Sequence, residues 1–279
     1  MIIELLKVIL LGIVQGITEW LPISSTGHMI LVDEFISLQV SPEFLLMFLV
    51  VIQFGSIMAV VVLYFHKLNP FPIISPKKSR KHVRKIFILW SKVLVATIPA
   101  AIIGLLFDDV IHDFFYNYTM VAVMLIFYGV LFIIVENRNE DKEPRVTKLS
   151  ELPYKTALMI GLFQVLALIP GTSRSGATIL GALLIGTSRF VATEFTFFLA
   201  IPVMFGASLL QMVRFGWSYS AYEVAFLIVG CLVAFIVSLF AIKFLLNYIK
   251  RNNFKAFAYY RIVLGVIVLL YGFIWGGSL

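Results

Sequence analysis

Charge is what this 279-residue sequence has least of: Asp, Glu, Lys and Arg together make up 13% of it, where a soluble domain carries about 25%. Hydrophobic residues reach 61%, against about 45–50% in soluble proteins. These two figures exclude both a soluble enzyme and a disordered chain. Cysteine is almost missing as well: Cys231 alone, set in an apolar run, excludes a disulfide framework and reads as a small packing residue. No Cys/His cluster and no His-Glu-x-x-His stretch supports a zinc site. The Gly-x-Ser-x-Gly turn of α/β-hydrolases is absent. A Gly-x-x-x-x-Gly spacing occurs at Gly171 to Gly176, but Ala177 stands where a P-loop needs lysine.

What charge there is follows a pattern. The formal net charge is +7, and of 22 Lys and Arg residues seventeen fall in three stretches, seven in 66–85, five in 136–155 and five in 243–261. Short basic loops stay on the cytoplasmic side of a membrane, so the pattern reads as orientation. Nucleic-acid binding is not expected, because no motif or aromatic interleaving accompanies the charge. Glu4 and Lys7 interrupt the apolar N-terminus, which also lacks a small-residue cleavage pattern, so it does not read as a signal peptide.

Six apolar runs are long enough to cross a bilayer, approximately 44–65, 86–107, 119–135, 195–213, 224–244 and 262–277. All are expected to be helices, since an open sheet cannot satisfy its backbone in lipid. With the three basic loops inside, Phe44, the Asp108/Asp109/Asp113 segment, residues 216–223 and the C-terminus fall outside. Two further apolar regions, about 4–35 and 156–190, are broken near their middles by Pro/Gly/Ser/Thr clusters. Each reads as a re-entrant helical hairpin, tolerated at membrane depth only where protein or a water-filled cavity surrounds it.

The two broken regions resemble each other. A shift of 149 residues aligns Gly12, Gln15, Ser24 and Gly27 with Gly161, Gln164, Ser173 and Gly176, and a shift of 151 aligns Glu43-Phe44 and Phe54-Gly55 with Glu194-Phe195 and Phe205-Gly206. One hairpin plus three spans per copy turns the second copy upside down. The expected architecture is therefore a single all-α integral membrane domain, with six transmembrane helices and two re-entrant hairpins in an inverted-topology repeat. Residues 1–135 form the first copy, 136–155 a cytoplasmic linker and 156–279 the second copy.

The hairpins hold the polar chemistry. In the first, Gln15 and Glu19 share one helix face, Pro22 stops the helix, Ser24 or Ser25 caps the next, and Thr26, Gly27 and His28 follow. In the second, Pro170-Gly171 breaks the helix and Thr172, Ser173, Arg174, Ser175, Gly176 and Thr178 follow. Both breaks offer a helix N-terminus, free backbone N–H groups and hydroxyls, an arrangement suited to an anion. Arg174 adds a planar donor suited to phosphate. In the alignment Glu19 faces Leu168, Ser25 faces Arg174 and His28 faces Ala177, so one copy carries the acid, base and nucleophile candidates and the other the fixed positive charge.

At these residues the sequence closely resembles the undecaprenyl-diphosphate phosphatase family of bacterial inner membranes, also known for bacitracin resistance. The resemblance covers essentially the whole chain. It rests on Gln15-x-x-x-Glu19, on Pro22-x-Ser-Ser-Thr-Gly-His28 and on Pro170-Gly-x-Ser-Arg-Ser-Gly-Ala-Thr178. Many members carry glutamate where Gln15 stands, which leaves Glu19 as the sole carboxylate of that pair. The resemblance implies hydrolysis of undecaprenyl diphosphate to the monophosphate carrier lipid of peptidoglycan synthesis, and dependence on a divalent cation, Mg²⁺ or Ca²⁺. Its implied partners are the polyprenyl diphosphate substrate and membrane lipids, with a homodimer left open.

On this reading Arg174 and the N–H groups at its helix start hold phosphate, Ser25 is the nucleophile and His28 the general acid or base. Glu19 would orient His28 or hold a cation, while Gln15, Ser24, Thr26, Gly27, Thr172, Ser173, Ser175, Gly176 and Thr178 bind substrate. Direct attack by water, with His28 or Glu19 as base, is the alternative chemistry. The site is expected to open to the exterior face. Because inverted repeats also build transporters, the competing function is a polyprenyl-phosphate flippase.

Overall fold

A computed structural model of the chain describes residues 2–71 and 79–275. Among these residues eleven α-helices follow in order: α1 (Ile2–Thr18), α2 (Ser25–Ile36), α3 (Pro42–Leu63), α4 (Phe65–Leu68), α5 (Arg80–Phe115), α6 (Tyr118–Arg138), α7 (Tyr154–Val165), α8 (Arg174–Ile185), α9 (Arg189–Phe215), α10 (Ala221–Tyr248) and α11 (Lys255–Trp275). Among the described residues the only strand-like pairing is one isolated bridge between Val146 and Thr187. Six helices, α3, α5, α6, α9, α10 and α11, are long and apolar enough to cross a membrane. Each contains one of the expected runs, apart from residues 64–65 and 276–277 at the ends of two of them. The chain is a multi-pass membrane protein. Residues 72–78 of the expected basic loop, and the end of the last run beyond 275, lie outside the described residues.

Local chemistry sets the helix ends. Ser41 caps α3 with Pro42 next to it, Asn117 caps α6, Ser188 caps α9, and Ser220 with Glu223 closes a capping box on α10. Gly186, at φ 98°, ends α8 in the left-handed region that a side chain would resist. The expected run ends at Phe107, as does the apolar span; α5 continues across a non-helical residue there to Phe115, so the Asp108/Asp109/Asp113 segment is helical but beyond the span. Asp113 is exposed there, and the side chains of Asp108 and Asp109 lie outside the described ones.

The helices pack as interlocking pairs. α6 lies along α11, α1 and α3 both lie along α10, α3 also crosses α9, and α7 lies along α5. Small residues allow the closest approaches, as at Gly16, where an added Cβ would lie 2.8 Å from the Ala234 carbonyl of α10. α5 and α9 meet over a shorter stretch, and the space between them is the cavity described below. Large apolar side chains such as Phe240, Phe273 and Leu106 face outward, as a lipid-contacting surface requires. The inner core gathers Trp20, Phe132, Phe195, Phe197 and Phe198, all fully buried. Lys92 is buried, with its Nζ 5.7 Å from the centre of the Tyr154 ring at the start of α7. Near the ends of the basic loops, buried Glu136 takes Arg189 and the Phe254 N–H, and buried Glu194 takes Lys67.

Candidate functional site

Both helix breaks are built alike. Ser24 and Ser173 adopt φ of 73° and 71°, a conformation costly for residues other than glycine. Each hydroxyl then accepts the backbone N–H three residues on, Gly27 for Ser24 (3.3 Å) and Gly176 for Ser173 (3.1 Å). These caps leave Ser25 and Arg174 as the first residues of α2 and α8. Gly171, at φ 86°, turns the chain between α7 and α8 where a Cβ would lie 2.4 Å from the Val121 carbonyl.

The breaks meet at Glu19, which is 5% exposed. Arg174 donates from one terminal nitrogen to Glu19 Oε1 at 2.9 Å, and both Gln15 Nε2 and the Ser25 hydroxyl donate to Glu19 Oε2 at 2.8 Å. The other terminal nitrogen of Arg174 reaches the Thr196 carbonyl at 3.0 Å, its guanidinium carbon lies 5.7 Å from the centre of the Trp20 ring, and its Nε has no partner. Ser175 hydrogen-bonds the carbonyls of Glu19 and Leu21, tying the second break to the first. Glu19, Ser25, Thr26, Ser173 and Arg174 line a cavity of about 710 Å³. Its remaining wall is mostly apolar, with Val50, Ala101, Leu105 and Leu209 among its residues, and it extends to Tyr116 and Arg214 at one end of the bundle.

The other sequence-predicted residues serve the scaffold around this cluster. Thr178 donates to the Arg174 carbonyl of its own helix and accepts from Thr196. Gly176 is where a Cβ would come within 3.0 Å of Arg261. Thr172 is fully buried with its hydroxyl unpartnered. His28 is not brought to Glu19. Its Nδ1 lies 2.7 Å from the Ser24 carbonyl and its Nε2 2.7 Å from the Tyr260 hydroxyl, with the Tyr260 ring stacked on it. A neutral imidazole fits these partners only when Nδ1–H donates to Ser24 and Nε2 accepts from Tyr260. His28 is not among the described residues lining the cavity.

Sequence reasoning missed Arg261. Counted above with the third basic loop, it is 0% exposed and lies within α11. Its guanidinium donates to the carbonyls of Pro22 (3.1 Å), Gly171 (2.9 Å) and Thr172 (2.9 Å), and more distantly to Met124 and Leu125 of α6. One side chain thus fastens both helix breaks, and no carboxylate among the described residues pairs with it. The signal available in sequence was position: Arg261 stands seven residues into the apolar helix, unlike Lys250, Arg251 and Lys255.

For a divalent cation the site offers one carboxylate, Glu19, whose two oxygens both accept hydrogen bonds, and no group of three His, Cys, Asp or Glu side chains gathers among the described residues; a cation there would take its remaining ligands from water and substrate phosphate.

The family model described as bacitracin resistance protein BacA matches residues 8–267. The chain belongs to this family. Among its relatives is an undecaprenyl-diphosphatase of Acetivibrio thermocellus, 64% identical over 270 residues, covering 96% of this chain and 98% of the relative. An undecaprenyl-diphosphatase of Enterococcus faecalis is 62% identical over 271 residues, covering 96% and 97%. One from Desulfitobacterium hafniense is 60% identical over 271 residues, covering 97% and 96%. In this chain the motifs lie at the two helix breaks, and residues of both line the cavity.

Proposed function

We infer that this chain hydrolyses undecaprenyl diphosphate to undecaprenyl phosphate and inorganic phosphate, recycling the carrier lipid for peptidoglycan synthesis. Bacitracin resistance follows, because the antibiotic sequesters the diphosphate that the enzyme consumes. The observation that carries the reading is the Ser25–Glu19–Arg174 cluster, at the wall of a mostly apolar cavity of about 710 Å³.

In the proposed chemistry the Ser25 hydroxyl attacks the terminal phosphorus. The bond to the bridging oxygen breaks, its electron pair leaves on the lipid phosphate, and the Ser25 proton passes to Glu19 Oε2. Glu19 passes that proton to the departing lipid phosphate; water then attacks the phosphoserine, Glu19 takes its proton, and Glu19 returns it to the Ser25 oxygen as the Ser25 O–P bond breaks and inorganic phosphate is released. Arg174 and the N–H groups at the start of α8 stabilise the charge that develops on the phosphoryl oxygens. Glu19 takes the proton-carrying role expected for His28, and His28 holds the Ser24–Ser25 turn in place. Any divalent cation enters as the counter-ion of the diphosphate.

The inverted repeat belongs to this proposal, with 1–135 and 156–279 as its copies, α1–α2 and α7–α8 as re-entrant hairpins and 136–155 as linker. Helix pairing supports it: α1 lies along α10 as α7 lies along α5, while α3 meets α9 and α6 meets α11 as paired counterparts. Aligned Gly12 and Gly161 both abut backbone of those partner helices, at Gly230 and Ala96. The basic loops face the cytoplasm of the bacterial inner membrane, and the cavity opens at the exterior end through Tyr116 and Arg214. All named groups come from one chain, so a homodimer would carry two complete sites.

Phosphate release by the purified protein in detergent, given farnesyl diphosphate with Mg²⁺ or Ca²⁺, tests this. Glu19→Gln and Arg174→Ala should each lower turnover by about 10²–10³. No release under any cation condition refutes the hydrolase and favours the flippase. Ser25→Ala at near-normal turnover would refute the covalent route in favour of direct water attack.

A further inference from the structure

One polar group at the cavity wall has no part in the chemistry above. Gln164 of α7 occupies the place in the second broken region that Gln15 occupies in the first, four residues before Leu168 as Gln15 stands four before Glu19. Gln15 spends its Nε2 on Glu19. Leu168 offers Gln164 no acceptor, and both Nε2 and Oε1 of Gln164 lack a hydrogen-bond partner among the described residues, although the residue is only 2% exposed. Such buried carboxamide atoms are destabilising unless something hydrogen-bonds them. Gln164 lines the same cavity as Ser25 and Arg174.

We propose that Gln164 is a headgroup-binding residue whose Nε2 donates to a non-bridging oxygen of the lipid-borne diphosphate. The inference rests on the hydrolase reading and assigns that site a further contact. The prenyl tail carries no hydrogen-bonding atom, so the diphosphate oxygens are the substrate's only acceptors. Oε1 remains for a protonated phosphate oxygen. Loss of the carboxylate at Leu168 is what frees this amide. The first copy holds its glutamine to position Glu19, and the second presents its own to the ligand.

Gln164→Leu keeps the volume and removes both polar atoms. The variant should melt at or above the wild-type temperature, since unpaired buried groups are gone, while its KM for farnesyl diphosphate rises about tenfold with a smaller change in kcat. Thermal protection by a non-hydrolysable farnesyl diphosphonate should fall in parallel, and inorganic pyrophosphate should protect the wild type less than the diphosphonate does. Unchanged KM and unchanged diphosphonate protection would overturn the proposal, as would a lowered melting temperature with unchanged KM. Equal protection by pyrophosphate would overturn the lipid-borne source. If the wild type gains diphosphonate protection through Gln164 yet releases no phosphate, the hydrolase reading fails and this contact stands. If it hydrolyses and Gln164→Leu changes nothing, the reverse holds.

Discussion

Replacing Arg261 by methionine removes the donors that hold the carbonyls of Pro22, Gly171 and Thr172, while roughly preserving the apolar stem. These three carbonyls stand at helix breaks, outside the regular helical ladders. A buried acceptor left unpaired costs about 1–3 kcal/mol, which puts the gross loss near 3–9 kcal/mol for the three. Against this, the variant no longer buries a guanidinium, whose desolvation costs several kcal/mol. The two terms leave a net loss of about 1–5 kcal/mol. Arg261→Lys should recover less than half, because one ammonium cannot span carbonyls from both breaks. Thermal melting in detergent reads the stability. Phosphate release, measured below the melting point of each variant, reads the site. Turnover should fall more than melting alone explains, since the breaks that carry Ser25 and Arg174 lose their common anchor. Wild-type melting together with wild-type turnover in Arg261→Met would refute the reasoning.

Two further outcomes follow from the same geometry. Gly171→Ala combines a left-handed residue, costing about 1–2 kcal/mol, with a Cβ 2.4 Å from the Val121 carbonyl; it should lower both melting temperature and phosphate release, and normal behaviour would mean the turn relaxes freely. Tyr260→Phe keeps the ring stacked on His28 but removes the hydroxyl at its Nε2, so melting should stay put while turnover drops several-fold; unchanged turnover in a purified sample would show that this bond does not matter for positioning.

The parts of the fold legible in the sequence were those governed by local rules. Apolar runs of a length that can cross a bilayer mark α3, α5, α6, α9, α10 and α11, and the Pro/Gly/Ser clusters mark both helix breaks. Glu19, Ser25 and Arg174 stood out because charge and hydroxyls are rare at such depth. His28 was legible as a residue but not as a geometry: position in α2 does not say which way an imidazole turns, and Ser24 and Tyr260 decide that. Arg261 was misread because residue counting sees a basic cluster where the chain has already entered α11.

By itself, then, the sequence determined the membrane class, the six spans, the two breaks and the residue types available for phosphate chemistry, because bilayer thickness and backbone hydrogen bonding leave few alternatives. Only the tertiary structure decided who partners whom. Contacts 155 residues apart, such as Arg174 with Glu19, and 239 apart, such as Arg261 with Pro22, depend on how the helices cross. A buried charge is fixed by whichever acceptors that packing brings within reach. That is why Glu19 received Ser25, His28 received Tyr260 and Gln164 was left facing the cavity.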